Sequence, residues 1–136
     1  MLQRLGDAAR DDLRTIELIV QDPALTHIAA FHAQQAVEKS LKALLEYEGK
    51  EVPKIHQIAR LQALVDKNLQ LDTDTVYLLD SLYIEARYPG DLGLLPYGKP
   101  TLADAKRFME FAQKTYMDVC KALSLEPDDY SPSAHS

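Results

Sequence analysis

His27 and His32 are the first residues to test for chemistry, since imidazoles serve as metal ligands and as general acids and bases near neutral pH. Five positions apart on a helix, they lie about 140 degrees apart around its axis, so they cannot close on one ion as an i, i+4 pair can. His32 instead falls with Gln35 and Lys39 along one polar side, which reads first as a solvated face and second as a ligand site. His56 follows Pro53 and opens a helical stretch, where capping or positioning a turn comes ahead of catalysis. His135 belongs to the tail. Gln34 lies beside Val37 and Leu41, where the helix should be buried, and a buried amide must find hydrogen-bond partners; its expected role is to tie helices together. Glu38 and Lys42 form an i, i+4 pair in the favourable orientation, a surface feature worth only about 0.3 kcal/mol. Arg87 carries the strongest functional signal. It stands next to Tyr88 and just before Pro89-Gly90, where a guanidinium either caps helix carbonyls or grips a phosphate or carboxylate with two parallel hydrogen bonds. Tyr88 either stacks on a nucleobase or anchors the loop that follows. Arg87, Tyr88, Gln34, Glu38 and His32 are thus the candidate ligand-binding residues, and no catalytic set, metal site or cofactor site is read. The acidic pairs Asp11-Asp12 and Asp128-Asp129 read as solvated charge. Cys120 is the only cysteine, which excludes an internal disulfide and a cysteine-based zinc site; its helical position makes it a packing residue.

These side chains must be positioned by helices. Leu5, Ala9, Leu13, with Asp12 on its flank, Ile16 and Val20 recur at spacings of three and four and predict a first helix from about Arg4 to Val20. Asp22 is a candidate cap for a second helix over about Pro23 to Glu48, with Pro23 at its first position and Gly49 as its stop. On it Ala30, Ala33, Val37, Leu41, Leu44 and Leu45 share one face, while Lys39, Lys42 and Glu46 lie on or near the other. Ile58, Leu61, Leu64 and Val65 mark a third helix from about His56 to Lys67, ended by Asn68. Thr73 is the expected cap of a fourth, carrying Val76, Leu79, Leu82, Tyr83 and Ala86 and running to about Arg87. From Tyr88 to Pro100, three prolines and three glycines in thirteen residues exclude regular helix. Leu92, Leu94, Leu95 and Tyr97 make this loop too apolar to stand in water, so it should pack on the bundle or on a second subunit. Thr101 and Asp104 form a variant capping box and open a fifth helix with Ala105, Phe108, Ala112, Thr115, Val119 and Leu123 as its stripe.

The fold expected is therefore all-α, an up-and-down antiparallel bundle of about five helices over residues 1–125, with a disordered tail at 126–136. A length of 136 residues suits one domain, and 46% hydrophobic with 26% charged residues is ordinary for a soluble protein. No apolar run approaches the roughly 18 residues of a membrane span, and the N-terminus lacks the apolar block of a secretory signal, which places the chain in the cytoplasm. The formal net charge of -6 argues against general nucleic-acid binding.

Phe31 to Leu45, read with Pro53 to His56 and with Tyr83 to Gly90, resembles the small stand-alone form of the HEPN domain (higher eukaryotes and prokaryotes nucleotide-binding), over about Leu5 to Leu123. The resemblance implies a bundle like the C-terminal helical domain of kanamycin nucleotidyltransferase. It also implies a two-component setting of toxin-antitoxin type, in which a small nucleotidyltransferase is the partner and supplies the chemistry. In members that act as ribonucleases, an Arg is followed after about four to six residues by a His, which moves the proton. Here Arg87 is followed by Tyr88 to Leu94 with no histidine, and no other Arg has a His at that spacing. The sequence therefore reads first as a non-enzymatic module that binds a partner protein or a nucleotide-like ligand. The alternatives are a ribonuclease toxin that recruits His32 or His56, and a structural, self-associating helical protein. A homodimer is expected, because five helices of this length leave apolar surface to cover.

Overall fold

The computed structural model describes residues 2–84 and 98–123, and within them the elements are five helices: α1 (Leu2–Ile19), α2 (Thr26–Tyr47), α3 (Ile58–Leu64), α4 (Thr73–Ile84) and α5 (Leu102–Ala122). The all-α bundle read from the sequence is the architecture found. α2 is its axis. It packs most heavily on α1 and α5 and also touches α3 and α4, and 13 of its 22 residues are buried. Ala29, Ala30, Ala33 and Ala36 are fully buried, and their small side chains let neighbouring helices approach closely. Around them one core gathers Leu13 and Ile16 of α1, Leu41, Leu44 and Leu45 of α2, Ile58 and Leu61 of α3, Leu79 and Leu82 of α4, and Phe108 and Met109 of α5.

The apolar stripes of α2 and α5 are buried as the periodicity predicts, but in α3 only Ile58 and Leu61 are, Leu64 being 43% exposed because the helix stops there, and several helix ends differ. α2 begins at Thr26 and not at Pro23, because Asp22 spends its carboxylate on the nearby backbone N–H of Ala24 (2.9 Å), closing a tight turn instead of capping a helix. Leu25 stands at the N-cap without a side-chain cap, and the Thr26 hydroxyl donates to the Pro100 carbonyl (2.6 Å) across the chain. At the other end Gly49 takes a positive φ of 76°, as the expected stop requires. α3 is only seven residues long and stops before Val65, which is extended; the next N–H groups, of Asp66 and Lys67, are taken by the Glu48 carboxylate at 2.9 and 3.1 Å. Asn68 therefore has no part in ending it. α4 is capped by Asp72 and not by Thr73, since the Asp72 carboxylate accepts the Thr75 N–H (3.0 Å) and hydroxyl (2.6 Å). The Thr101–Asp104 capping box of α5 is present in both directions. The expected extension of α4 to Arg87, the loop through Tyr97 and the tail from Glu126 lie outside the described residues.

A seven-residue helix has little stability of its own, so α3 depends on anchors. Asp80 of α4, itself buried, accepts the first backbone N–H groups of α3, from Ile58 and Ala59, and so caps that helix from a different one. Burial pushes the Asp80 carboxyl above its ordinary value, partly offset by those two N–H groups. Replacing Asp80 by Ala should cost about 1–3 kcal/mol, because the buried N–H of Ile58 and the part-buried N–H of Ala59 lose their acceptor, while Asp80→Asn, which keeps a single amide oxygen, should lose less. A raised carboxyl pKa also fixes the sign with pH: this group favours the folded chain below the unfolded carboxyl pKa, and that contribution is lost as pH rises through the folded value. In urea unfolding from pH 3 to 7, the stability of wild type relative to Asp80→Asn should fall as pH rises, the oppositely shifted Asp72 acting equally in both proteins.

Candidate functional site

Because α2 is covered on most sides, its polar residues are forced into the seams between helices. Gln34, Glu38 and Lys42 follow one another at i, i+4 along one side of α2, and Gln35, Lys39 and His32 lie next to them around the axis. The Glu38 carboxylate is the centre of the first group. It is buried, and it accepts from Lys42 Nζ at 2.9 Å, from Gln34 Nε2 at 3.3 Å and faces His56 Nδ1 at 3.2 Å. Gln34, fully buried, also donates to the His56 backbone carbonyl at 2.9 Å, and Gln35 donates to its side-chain oxygen at 2.8 Å. Gln34 thus joins α2 to the segment that opens α3, the tie between elements that its place beside Val37 and Leu41 predicts.

Asp12 of α1 is the centre of the second group. One carboxylate oxygen faces His32 Nδ1 and the other accepts from Lys39 Nζ, both at 2.8 Å. This corrects two expectations. Asp12 is not solvated charge but a buried carboxylate in the seam between α1 and α2, and His32 is not on an open polar face, being 27% exposed and held by that carboxylate. The Glu38–Lys42 pair is likewise no surface feature, since the Lys42 side chain is only 12% exposed. The missed signal for Asp12 was its position on the flank of the Leu13–Ile16 stripe, where a side chain meets the neighbouring helix and not water. For Lys42 and Glu38 the signal was weaker, because only the tertiary cover of α2 buries them.

In both groups the imidazole meets a carboxylate through Nδ1. A carboxylate can only accept, so Nδ1 carries the proton, and in the neutral ring Nε2 is then the basic nitrogen. Fixing the ring in this way gives the α2 band two oriented imidazoles, two ammonium groups and two carboxylates whose charges balance. The His56 side chain is 53% exposed, which makes it the member of the band most open to a ligand. His27 stands apart. Its Nδ1 is buried without a hydrogen-bond partner among the described residues, and burial, with the charge of Lys99 second, lowers its pKa. Among the described residues no group of three or more His, Cys, Asp or Glu side chains is arranged to hold a metal ion. Arg87 and Tyr88 lie outside the described residues, so the site described is Gln34, Glu38, Lys42 and His56, with Asp12, His32 and Lys39 beside it.

A family model for the HEPN domain matches residues 2–123 of the chain. Among solved structures, the crystal structure of an archaeal HEPN homologue resembles it with a TM-score of 0.68, at 23% sequence identity, over 90% of this chain and 98% of that one. At that identity the likeness carries the fold alone. Among curated proteins no match was found.

Removing the centre of the first group tests its weight. Glu38→Ala strands the Lys42 ammonium in a seam where water reaches it poorly and takes one acceptor from Gln34, so a loss of about 2–4 kcal/mol in unfolding free energy is expected. Glu38→Gln should lose less, and chemical denaturation of the two variants beside wild type measures the difference.

Proposed function

The chain belongs to the HEPN domain family, and we propose that it serves there as a non-enzymatic binding module. Its ligand is a nucleotide-like molecule or a partner protein, a small nucleotidyltransferase in a two-component, toxin-antitoxin-type setting, where the partner carries the chemistry. The observation that supports this reading is the His56–Glu38–Gln34–Lys42 group. A half-exposed imidazole is held in one orientation by a buried carboxylate, which is itself held by an amide and an ammonium. Side chains fixed in this way lose little freedom on binding, which is what a recognition site requires. Arg87 and Tyr88 are proposed to complete the site, the first by a two-pronged grip on phosphate or carboxylate, the second by stacking. Leu18 at 86% and Tyr77 at 68% exposure leave apolar surface outside this site, which supports self-association as a homodimer. No helix is long and apolar enough to cross a membrane among the described residues.

A second reading rests on a specific observation. Both His32 and His56 are oriented by a carboxylate at Nδ1, the arrangement by which a general base is held in its working tautomer. Cleavage of RNA by Arg87 with one of these histidines would follow from it. The absence of a histidine shortly after Arg87 and the net charge of -6 favour the binding module.

The two readings separate in one set of proteins. Calorimetric titration of wild type with adenosine 5′-monophosphate, or with the product of the adjacent reading frame where that encodes a small nucleotidyltransferase, should show binding that weakens about tenfold in His56→Ala and in Arg87→Ala. Helical content should be unchanged in both. Labelled single-stranded RNA should stay intact with these three proteins and with His32→Ala. Cleavage by wild type that disappears in Arg87→Ala and in one of His32→Ala or His56→Ala would sink the binding-module reading in favour of a ribonuclease.

A further inference from the structure

Lys67, Asn68 and Gln70, on the connection between α3 and α4, line a depression of about 280 Å³ with Lys114, Asp118 and Lys121 on the last turns of α5. None of these residues belongs to the polar band of α2. The chain carries a net charge of -6, yet the ionised side chains here are three lysines against one aspartate. Lys114 is paired with Asp118 at 2.7 Å. Lys67 and Lys121 make no side-chain ion pair or hydrogen bond among the described residues, so the depression keeps an excess of two positive charges. Part of this has a local cause, since Lys121 lies in the last turn of α5, where a cation offsets the carbonyl end of the helix. That cause does not extend to Lys67, which stands outside any helix.

The wall that carries Lys67 is built before any ligand arrives. Glu48 holds the backbone N–H groups of Asp66 and Lys67, and Gln62 Nε2 donates to the Leu69 carbonyl at 3.2 Å, so the connection is gripped on both sides of Asn68. Asn68 and Gln70 add neutral N–H donors, and the buried Leu69 closes the wall with hydrocarbon. Two ammonium groups suit a compact dianion, for which lysine acts as a point-charge partner, and amide donors suit the several oxygens of a phosphoryl group. The volume is at the small end for a ligand pocket and fits one small molecule. Asp118 and the overall negative charge oppose an extended polyanion such as RNA.

We propose that this depression binds a small phosphate-bearing anion of phosphomonoester size, held by Lys67 and Lys121 with Asn68 and Gln70 as neutral donors. The test is titration of the full chain with inorganic phosphate, followed by the backbone amide resonances and matched in ionic strength by sodium chloride. Saturable shifts centred on Lys67 to Gln70 and on Lys121 are expected. Lys67→Gln with Lys121→Gln should weaken the apparent affinity about tenfold or more, with the remaining resonances unmoved, and Asp118→Asn should strengthen it. Shifts that chloride reproduces, that do not saturate, or that persist at the same concentrations in the double variant overturn the proposal. Because none of these side chains contacts Gln34, Glu38 or His56, either result leaves the binding-module reading where it stands.

Discussion

A helix covered on most of its sides by four others cannot leave its polar residues to water, and this constraint on α2 shapes the rest of the molecule. Its alanines set how closely α1 and α5 approach, and the closeness in turn decides which polar side chains are trapped. A trapped carboxylate must be paired and hydrogen-bonded, since burying it alone costs several kcal/mol, an order of magnitude more than a surface pair contributes. Asp12 and Glu38 meet that demand in the same way, each with one lysine from α2 and one imidazole. The seams of α2 are therefore specific: Asp12 fixes α1 on α2, and Glu38 with Gln34 fixes the segment that leads into α3.

What the sequence made legible follows from the range over which each signal acts. Apolar spacing is a property of one helix, so every residue named for the stripes of α2 and α5 is buried, although the buried faces are wider and also take in Ala36, Met109 and Tyr116; the Thr101–Asp104 box, whose two hydrogen bonds close within four residues, was equally readable. The boundaries that shifted are those where a side chain from elsewhere intervened. α3 is short because Glu48 claims the N–H groups beyond it, and α4 starts one residue early because Asp72 outcompetes Thr73 for the Thr75 N–H. Asp22 failed as a cap for the opposite reason, having found a nearer partner in Ala24.

The candidate site divides along the same line. Gln34 was legible because a polar residue inside an apolar stripe needs no knowledge of the partner to be noticed. His56 was visible only as a residue near a turn, and its connection to Glu38 spans eighteen positions, which no local pattern encodes. Glu38 and Lys42 look the same in sequence whether a helix is exposed or enclosed, and only the packing of α2 turns an ordinary i, i+4 pair into the buried centre of a polar group.

Rigidity is unevenly distributed around that group, and the imbalance bears on how a ligand there would be received. α2 is long and enclosed, so the positions of Gln34 and Glu38 are set by the core. α3 has seven residues and is held from outside at both ends: Asp80 accepts its first N–H groups, while Lys50 Nζ donates to the Leu64 carbonyl and to Asp66. His56 stands at the junction, tied by its backbone to Gln34 and by its ring to Glu38. A ligand that draws the ring away from Glu38 would leave that carboxylate to Lys42 and Gln34, and the element free to adjust is α3 rather than the core. Binding at His56, as proposed, would thereby be coupled to the position of α3 and, through Asp80, to α4, which precedes Arg87 in the sequence.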